Sequence, residues 1–367
     1  MRPFSFRLLQ SFFLITLFVS CKKNNTATDN PSNNPPAPIN ADVYITGTEW
    51  NGTVYVAKLW KNGTPYNISD GTKNASATGV YVNGTDVYVS FTDNTTGRKR
   101  AKLWKNGTVS TLLFVDINDP FVESGANAIS RGVVAGYCQV AATGRFVACY
   151  WDDNGVHHIS NAATNNAEAA GIHIKTISNF TRTSITGNVE TNNNGSFQHR
   201  SFFWGNQFGN PALNLLSGEQ AAGYGVAGFI NDNGFTYTAG RYGSLPTLWF
   251  EGGPSLTLSN NPGFALGLYV AGYTQVYVAG SELLNGKYVA RLWSGDYQTA
   301  ALQPLTLGSG QYQSEATGVQ VTEGNSFICG DEYGSDGKVY AKYWKNGNPV
   351  MVGGPGSYAT AIFVVKK

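Results

Sequence analysis

Short runs in which apolar and polar residues alternate fill the chain beyond residue 40, and tight turns separate them. Alternation with a period of two is typical of β-strands, and Asn-Gly between two such runs is a strong hairpin signal. In the fullest unit, Asn83-Gly84 follows the first run and Asn106-Gly107 follows the third. The pattern predicts four antiparallel strands in this unit, at residues 77–82, 87–90, 100–104 and 109–113.

One stretch around the third run recurs along the chain, and the number of its copies gives the number of units. Residues 57–63 read Ala-Lys-Leu-Trp-Lys-Asn-Gly, residues 101–107 repeat them, and residues 341–347 differ only at Tyr343. Weaker copies surround Trp151, Trp204, Trp249 and Trp293. The tryptophans follow one another at 44, 47, 53, 45, 44 and 51 residues, a spacing typical of propeller repeats. We therefore predict an all-β, seven-bladed β-propeller of four-stranded antiparallel blades over residues 41–367.

The first-strand motif is out of phase with the tryptophans, and this indicates how the ring closes. The motif occurs at Ala77, Ala128, Ala169, Gly223, Ala265, Ala316 and Ala359. Its first copy follows the first tryptophan and its last copy follows the last one, so the first blade lacks an innermost strand of its own. We expect the C-terminal strand to pair with residues 42–47, because closure removes the sheet edges that promote aggregation.

One position in each blade predicts a contact between the second and third strands. Opposite charges are expected to face each other there, and the pairs are Glu49/Lys58, Glu282/Arg291 and Glu332/Lys342. In the third blade Cys138 and Cys149 occupy this position roughly opposite each other, which leaves open either a disulfide or two buried thiols. Cys329 is interpreted as a small core residue, and the tryptophans as blade-to-blade packing residues.

Composition narrows the function classes. Charged residues make up 13% of the chain and its formal net charge is +2, so nothing favours a nucleic-acid partner. No glycine-rich phosphate loop, HExxH or Gly-x-Ser-x-Gly motif is present, and no cofactor or catalytic residue is predicted. Asp152, Asp153 and the His157-His158 pair match no metal-site spacing, and we interpret the histidines as outer-strand residues rather than metal ligands.

The N-terminus is typical of an export signal. Arg2 and Arg7 flank a basic start, and the mainly apolar residues 8–19 are too short to span a bilayer comfortably. Phe18-Val19-Ser20-Cys21 resembles the lipobox of bacterial lipoproteins, although leucine is usual at Phe18. The resemblance implies cleavage after residue 20, lipidation of Cys21 and an outer-membrane lipoprotein of a Gram-negative bacterium, periplasmic or surface-exposed. The alternative is an ordinary cleaved signal. Residues 21–40 read as an Asn/Pro-rich tether.

The repeats resemble a family as well as a fold. The Trp-Lys-Asn-Gly copies, with Val-Tyr-Val-Ala-Gly at residues 276–280, resemble the seven-bladed propeller lipoproteins of Gram-negative bacteria. Residues 128–137 also resemble the extracellular HAF repeat, and the scarcity of double glycines departs from typical kelch-like propellers. The likeness covers residues 41–367. It implies architecture and leaves function open, because propellers host many functions.

The loops predict where a ligand binds. First-to-second and third-to-fourth joins are short and share one face, whereas the second-to-third and blade-to-blade joins, such as residues 92–100 and 191–197, are longer and share the other. The residue before each first-strand motif should ring the channel mouth on that long-loop face. These residues are Ser76, Asn127, Glu168, Ala222, Phe264, Glu315 and Tyr358, with Trp50 in a neighbouring loop. Aromatic rings with carboxylates suit a sugar or peptide, and plain channel lining is the alternative.

Three functions remain open at this stage. The first is a monomeric, non-enzymatic module, held to the membrane by its lipid, that binds a protein, peptide or glycan on the long-loop face. The second is a carbohydrate-active hydrolase or lyase with carboxylates from several blades. The third is a purely structural surface protein.

Overall fold

The structure, a computed structural model, describes residues 37–94, 97–112, 123–160, 166–193, 196–205, 212–216, 223–251, 255–300 and 302–367. The predicted signal peptide, the predicted lipidation site Cys21 and most of the predicted tether lie outside these ranges. No helix within them is long and apolar enough to cross a membrane.

Seven four-stranded antiparallel sheets make up the chain from residue 41. Blade 1 begins with β1 (Ala41–Trp50), β2 (Tyr55–Lys61) and β3 (Thr64–Asn67). Blade 2 contains β4 (Ala75–Asn83), β5 (Asp86–Asp93), β6 (Arg100–Lys105) and β7 (Thr108–Thr111). Blade 3 contains β8 (Ser124–Ser130), β9 (Val133–Gln139), β10 (Phe146–Asp152) and β11 (Gly155–His158). Blade 4 contains β12 (Ala167–Ile177), β13 (Phe180–Asn193), β14 (Ser196–Gly205) and β15 (Ala212–Leu215).

The remaining blades complete the ring. Blade 5 contains β16 (Gly223–Ile230), β17 (Thr236–Tyr242), β18 (Leu245–Phe250) and β19 (Ser255–Thr257). Blade 6 contains β20 (Gly263–Ala271), β21 (Gln275–Leu284), β22 (Lys287–Asp296), a 3-10 turn (Tyr297–Thr299) and β23 (Gln303–Thr306). Blade 7 contains β24 (Ser314–Thr322), β25 (Asn325–Tyr333), β26 (Val339–Lys345) and β27 (Asn348–Pro355), and β28 (Ser357–Lys366) follows.

The last strand closes the ring as predicted. β28 pairs antiparallel with β1, from Ala41 opposite Lys366 to Glu49 opposite Ser357, and is the innermost strand of blade 1. Each innermost strand also contacts the innermost strands of both neighbouring blades, β28 and β4 included. The head and tail of the propeller therefore share one sheet.

A one-residue bulge interrupts every innermost strand and supplies an alignment of the blades that does not depend on sequence similarity. The bulged residues are Thr78, Asn127, Ala170, Val226, Leu266, Thr317 and Thr360. On this alignment the counterparts of Ala77 are Ala126 and Gly225, not Ala128 and Gly223. The predicted alignment was wrong by two residues in blades 3 and 5, because small residues at both positions fit a period-two pattern equally well.

The repeated tryptophans of blades 1, 6 and 7 each pack against the blade before them. Trp60 lies in a cluster with Phe327 of blade 7, Trp293 in one with Tyr237 of blade 5, and Trp344 in one with Ala279 of blade 6. These three indoles are among the largest fully buried side chains. The predicted packing role of the tryptophans is confirmed for these blades.

Candidate functional site

The joins sort onto two faces as predicted. The backbone N–H of Trp50, in the join after β1, donates to the carbonyl of Gly356 in the join before β28, and that of Asn94 donates to Asn74 in the same way. This is the long-loop face. Its second-to-third joins are longer in blades 1, 2, 3 and 7, whereas β17 and β18 are joined by two residues and the predicted loop at 191–197 is mostly strand.

The inner ring consists of the residues that precede the bulge by two positions, at equal height around the mouth on this face. Its members are Tyr358, Ser76, Gly125, Glu168, Tyr224, Phe264 and Glu315. Five of them are predicted ring residues. Gly125 and Tyr224 replace the predicted Asn127 and Ala222, and Ala222 lies outside the described residues.

Two further predicted residues lie close to this ring. Asn127 is the bulged residue of β8, and its side-chain amide donates to the carbonyl of Ala169 in the next blade at 2.8 Å. Trp50 ends β1 with 43% of its surface exposed, and its ring meets that of Tyr55 edge to face at 5.1 Å. Tyr55 in turn lies 6.2 Å from Tyr358. The binding role of all these residues stays a prediction.

The outer ring consists of the residues that pair with the inner ring on the second strands. Its members are Thr48, Thr92, Tyr137, Asn188, Arg241, Ser281 and Asp331. In blades 1, 2 and 4 the outer-ring side chain hydrogen-bonds to the backbone of the next blade. Thr48 donates to Ala75, Thr92 accepts from Ala126, and Asn188 accepts from Gly225, at 3.0, 2.9 and 2.9 Å. These three residues fasten neighbouring blades together.

Blade 3 fills the outer ring with an aromatic side chain. The Tyr137 ring lies where a side chain at Gly125 would project, since a Cβ built there would be 2.4 Å from it. Glycine at position 125 therefore makes room for the tyrosine. Tyr137 meets Phe146 edge to face at 5.1 Å.

Blades 5 to 7 carry polar outer-ring residues: Arg241, Ser281 and Asp331. Nε of Arg241 and Oγ of Ser281 are buried, and neither has a hydrogen-bond partner among the described residues. Burial, and then the neighbouring Glu315 carboxylate, raise the pKa of Asp331 to about 8, while Lys342 opposes the shift. Leaving such groups unpaired costs stability. This sector of the mouth therefore differs from blades 1, 2 and 4, where the outer-ring side chain bonds to the next blade.

Aromatic rings line the same sector. The Arg241 guanidinium carbon lies 4.9 Å from the Tyr224 ring centre and 4.8 Å from that of Phe264. The Tyr224 ring also stacks on the ring of His199, with the two ring centres 5.4 Å apart. The Phe264 ring in turn contacts that of Tyr288, with ring centres 5.6 Å apart. We call Tyr224, Arg241, Phe264, His199 and Tyr288 the aromatic arc.

Carboxyl groups lie on both sides of this arc. Glu315 stands opposite Asp331 in the β24–β25 register, and burial raises its pKa. Burial also raises the pKa of Glu168, which a hydrogen bond with Asn188 opposes. Burial and the nearby Tyr333 and Tyr55 phenols raise the pKa of Tyr358 to about 12. Of these carboxyls, Asp331 with its pKa of about 8 holds its proton at neutral pH and can donate a hydrogen bond.

Cavities open at the mouth and continue inward. The channel between the innermost strands has a volume of about 840 Å³, and Glu315 and the bulged residues line it. Two cavities of about 710 and 580 Å³ flank Lys99, Asn127 and Tyr137 at the long-loop face. Their sizes fall in the range of small-molecule sites.

The predicted cross-strand pairs are confirmed, with a diagonal geometry. Cys138 is opposite Val147 and Cys149 is opposite Gly136, so the cysteines are two positions apart in register rather than directly opposed. Their Sγ atoms lie 2.8 Å apart and both residues are fully buried. The disulfide stays a prediction. Cys329 is a buried core residue, as predicted.

The same diagonal position carries an ion pair in four other blades. The predicted pairs Glu49–Lys58, Glu282–Arg291 and Glu332–Lys342 have N–O distances of 2.9, 2.5 and 2.6 Å, and Asp93–Lys102 adds one at 2.5 Å that we did not predict. The blade 3 cysteines therefore replace an ion pair.

The histidines of blades 3 and 4 have structural partners. Nε2 of His157 lies 2.8 Å from Oδ1 of Asp152, and its ring stacks on Tyr150. His173 accepts a hydrogen bond from the backbone of Ile230, and burial lowers its pKa to about 3. The described residues contain no cluster of three or more His, Cys, Asp or Glu suited to a metal ion.

Comparison with known proteins supports the propeller fold and assigns no family. No protein-family model matches the chain. No curated protein sequence matches it either. A puromycin-hydrolysing peptidase of Mycobacterium tuberculosis superposes with a TM-score of 0.57 at 12% identity, over 87% of this chain and 52% of its own. The chain thus spans about half the length of that peptidase, and the likeness supports the propeller fold.

Two further structures superpose less closely. An ulvan lyase of polysaccharide lyase family PL25 gives a TM-score of 0.48 at 9% identity, over 88% of this chain and 97% of its own. TolB from Acinetobacter baumannii gives 0.44 at 12% identity, over 74% and 65%.

Proposed function

We propose that the protein is a membrane-anchored, non-enzymatic binding module that takes a glycan at the mouth of the long-loop face. One observation carries the proposal: the sector that contains the aromatic arc also holds buried polar atoms that have no hydrogen-bond partner among the described residues. Sugars combine apolar ring faces with many hydroxyls, so they need stacking surfaces and hydrogen-bonding groups side by side. A folded protein partner is the competing occupant.

The anchor in this proposal is the lipid on Cys21. The lipobox-like Phe18-Val19-Ser20-Cys21 and the following Asn/Pro-rich segment support it. We propose an outer-membrane location, in which the tether holds a monomeric propeller away from the bilayer. Mass spectrometry of the mature N-terminus tests this, since a lipid-free N-terminus after cleavage of the signal would overturn the anchor.

Glycan binding is tested by removing aromatic surface from the mouth. The variant Phe264→Ala/Tyr358→Ala is screened against a glycan array, and each hit is checked by thermal shift, because a ligand that binds the native state raises its stability. We expect the wild-type hits to be lost. Phe180→Ala is the matched control, since Phe180 is 79% exposed at the β12–β13 turn on the opposite face. Unchanged hits in the double variant would overturn the site.

A second candidate, a carbohydrate-active hydrolase or lyase, is favoured by Glu315 and Asp331. The two carboxyls are opposite each other, and the pKa of Asp331 is raised to about 8, so one proton-bearing acid lies beside a second carboxyl at neutral pH. Acid–base pairs with separated pKa values are typical of glycoside hydrolysis. Incubation with a polysaccharide panel and assay of new reducing ends decides: turnover lost in Asp331→Asn supports the enzyme, and absence of turnover supports the binding module.

A further inference from the structure

The Arg241 guanidinium lies beside aromatic rings at the mouth, a setting typical of anion-binding arginines. No described acidic residue pairs with it. Its guanidinium carbon lies within 5 Å of the ring centres of both Tyr224 and Phe264, which come from adjacent blades. Both rings therefore lie within cation–π distance of the guanidinium. The part of this half-buried side chain that reaches solvent can present N–H donors to an acceptor.

The described acidic residues of blades 5 and 6 have other partners. Glu282 pairs with Nε of Arg291 at 2.5 Å, and Glu251 accepts from the backbone N–H of Thr236 at 2.8 Å. Asp232 pairs with Lys175 on the opposite face, and Asp296 accepts from the backbone N–H of Gln298 at 2.8 Å. Nε of Arg241 is buried and has no acceptor among the described residues. The Nε donor is therefore desolvated without a hydrogen-bond acceptor among the described residues, while the side chain as a whole is half-buried.

A second buried group lies in the next blade of the same ring. Ser281 is the blade 6 counterpart of Arg241, it stands opposite Phe264, and its Oγ has no partner among the described residues. The outer-ring residues of blades 1, 2 and 4 use their polar atoms to fasten the next blade. Arg241 and Ser281 make no such contact among the described residues, and of the two only the half-buried Arg241 reaches the surface of the mouth.

We propose that Arg241 binds an oxyanion of the ligand, so that the glycan of the proposed function is an acidic polysaccharide. This inference rests on that function and deepens it. An oxyanion, carboxylate or sulfate, matches the fork of guanidinium N–H donors. The sugar ring that carries it stacks on Tyr224 or Phe264. Asp331, whose pKa of about 8 leaves it protonated at neutral pH, serves sugar hydroxyls farther round the ring without repelling the anion.

The test is calorimetric titration of the full chain in detergent with three probes: trigalacturonate, its uncharged methyl ester, and a sulfated galactose oligomer. We expect the wild type to bind trigalacturonate about tenfold more tightly than the ester, the effect of one charge-assisted hydrogen-bonded contact. Preference for the sulfated oligomer over the ester identifies sulfate as the anion instead. Affinity for the preferred anion should fall as salt rises.

Variants assign the preference to Arg241. Arg241→Gln should bind acid and ester with equal affinity, and Arg241→Lys should keep part of the preference, because it keeps the charge and loses the fork. If Arg241→Gln does not fold, Arg241→Lys carries the test through its reduced preference. Arg182→Gln is the matched control: it removes the same charge from the opposite face, where Arg182 donates to Gly234, and should leave the preference unchanged.

The outcomes separate the two proposals. Wild-type protein that binds charged and uncharged sugars equally, or Arg241→Gln that keeps the full preference, overturns the anion site and leaves glycan binding standing. If no probe, charged or neutral, and no array glycan binds the wild type, the proposed function itself fails.

Discussion

The asparagine of each full Trp-Lys-Asn-Gly copy fastens a neighbouring strand as well as forming a turn. Asn62, Asn106 and Asn346 have positive φ angles of 52°, 46° and 51°, which asparagine tolerates better than most residues. Each Oδ1 accepts a backbone hydrogen bond near the start of the second strand, from Val43, Val87 and Ser326 respectively. One residue type thus meets two local requirements, which explains why the motif repeats.

Replacing one such asparagine should weaken the blade. Asn346→Ala loses the bond from Ser326 at 2.8 Å and the one to Asn325 at 2.9 Å, and places alanine at positive φ. We expect the free energy of unfolding, measured by urea denaturation, to fall by about 1–3 kcal/mol. Asn348→Ala in the same turn is the control and should change it by less than about 0.5 kcal/mol. Equal effects would contradict the fastening role.

Asp331 should make stability depend on pH. Its pKa is raised from 3.8 to about 8 in the folded chain, so the native state holds a proton that the unfolded state releases. This contribution to stability is fully present below about pH 4 and is lost as the pH rises through about 8. Glu315 and Tyr358 face the same group, and Lys342 opposes the shift.

Asp331→Asn should remove this contribution. Relative to the wild type, the variant should gain on the order of 2 kcal/mol between pH 4.5 and 8.5, since a buried charge no longer forms. Urea midpoints at the two pH values measure the change. Parallel pH profiles for the two proteins would mean that Asp331 titrates normally.

The sequence predicts the position of some residues at the channel mouth but not of others. Glu168, Phe264, Glu315 and Tyr358 follow from the strand pattern, because each precedes a small buried residue in a clear motif. Arg241 does not, since its significance depends on rings from two blades and on the missing partner. Absence of a partner is a property of the folded chain, and no local pattern encodes it.

At the scale of the strand pair, one diagonal position carries different chemistry in different blades. It holds an ion pair in blades 1, 2, 6 and 7 and two cysteines in blade 3. The ion pairs could be predicted because charges stand out in an apolar strand. Their diagonal geometry could not, because Glu332 and Lys342 are two positions away from direct opposition, an offset that the sequence pattern leaves open.

The blade 7 ion pair should matter more than an exposed one. Lys342→Met leaves the buried Glu332 carboxylate without its cation, and we expect the free energy of unfolding from urea denaturation to fall by about 3 kcal/mol. The double variant Glu332→Gln/Lys342→Met should recover part of it, because no charge is stranded. Lys366→Met breaks the exposed pair with Glu323 and serves as the control, with a loss below about 1 kcal/mol. Similar losses for both single variants would contradict the burial argument.

At the scale of the whole molecule, the ring is held closed by a sheet built from both ends of the chain. The repeat spacing predicted seven blades because the seven-residue stretch around the tryptophan occurs in three nearly identical copies. The four weaker copies keep the same spacing. The phase of the first-strand motif predicted closure by β28, which the β1–β28 register confirms. The contrast between fastened and unfastened sectors of the mouth emerges only when the blades are aligned by their bulges.

Closure should depend on β28 being present, not on its place in the sequence. Deletion of residues 357–367 exposes the edge of β1, and we expect aggregation or loss of cooperative unfolding. A circular permutant that joins Lys366 to Ala41, which are register partners, and opens the chain before Ser357 should unfold like the wild type. Calorimetry compares the two. A deletion variant that stays monomeric with an unchanged melting temperature would contradict this form of closure.

The most direct measurement is a crystal structure of the protein with trigalacturonate. We predict electron density for the sugar over blades 5 to 7 of the long-loop face, with a carboxylate at Arg241 and a sugar ring against Tyr224 or Phe264. Density confined to the short-turn face, or an empty mouth in crystals grown at saturating sugar, would contradict binding at this site.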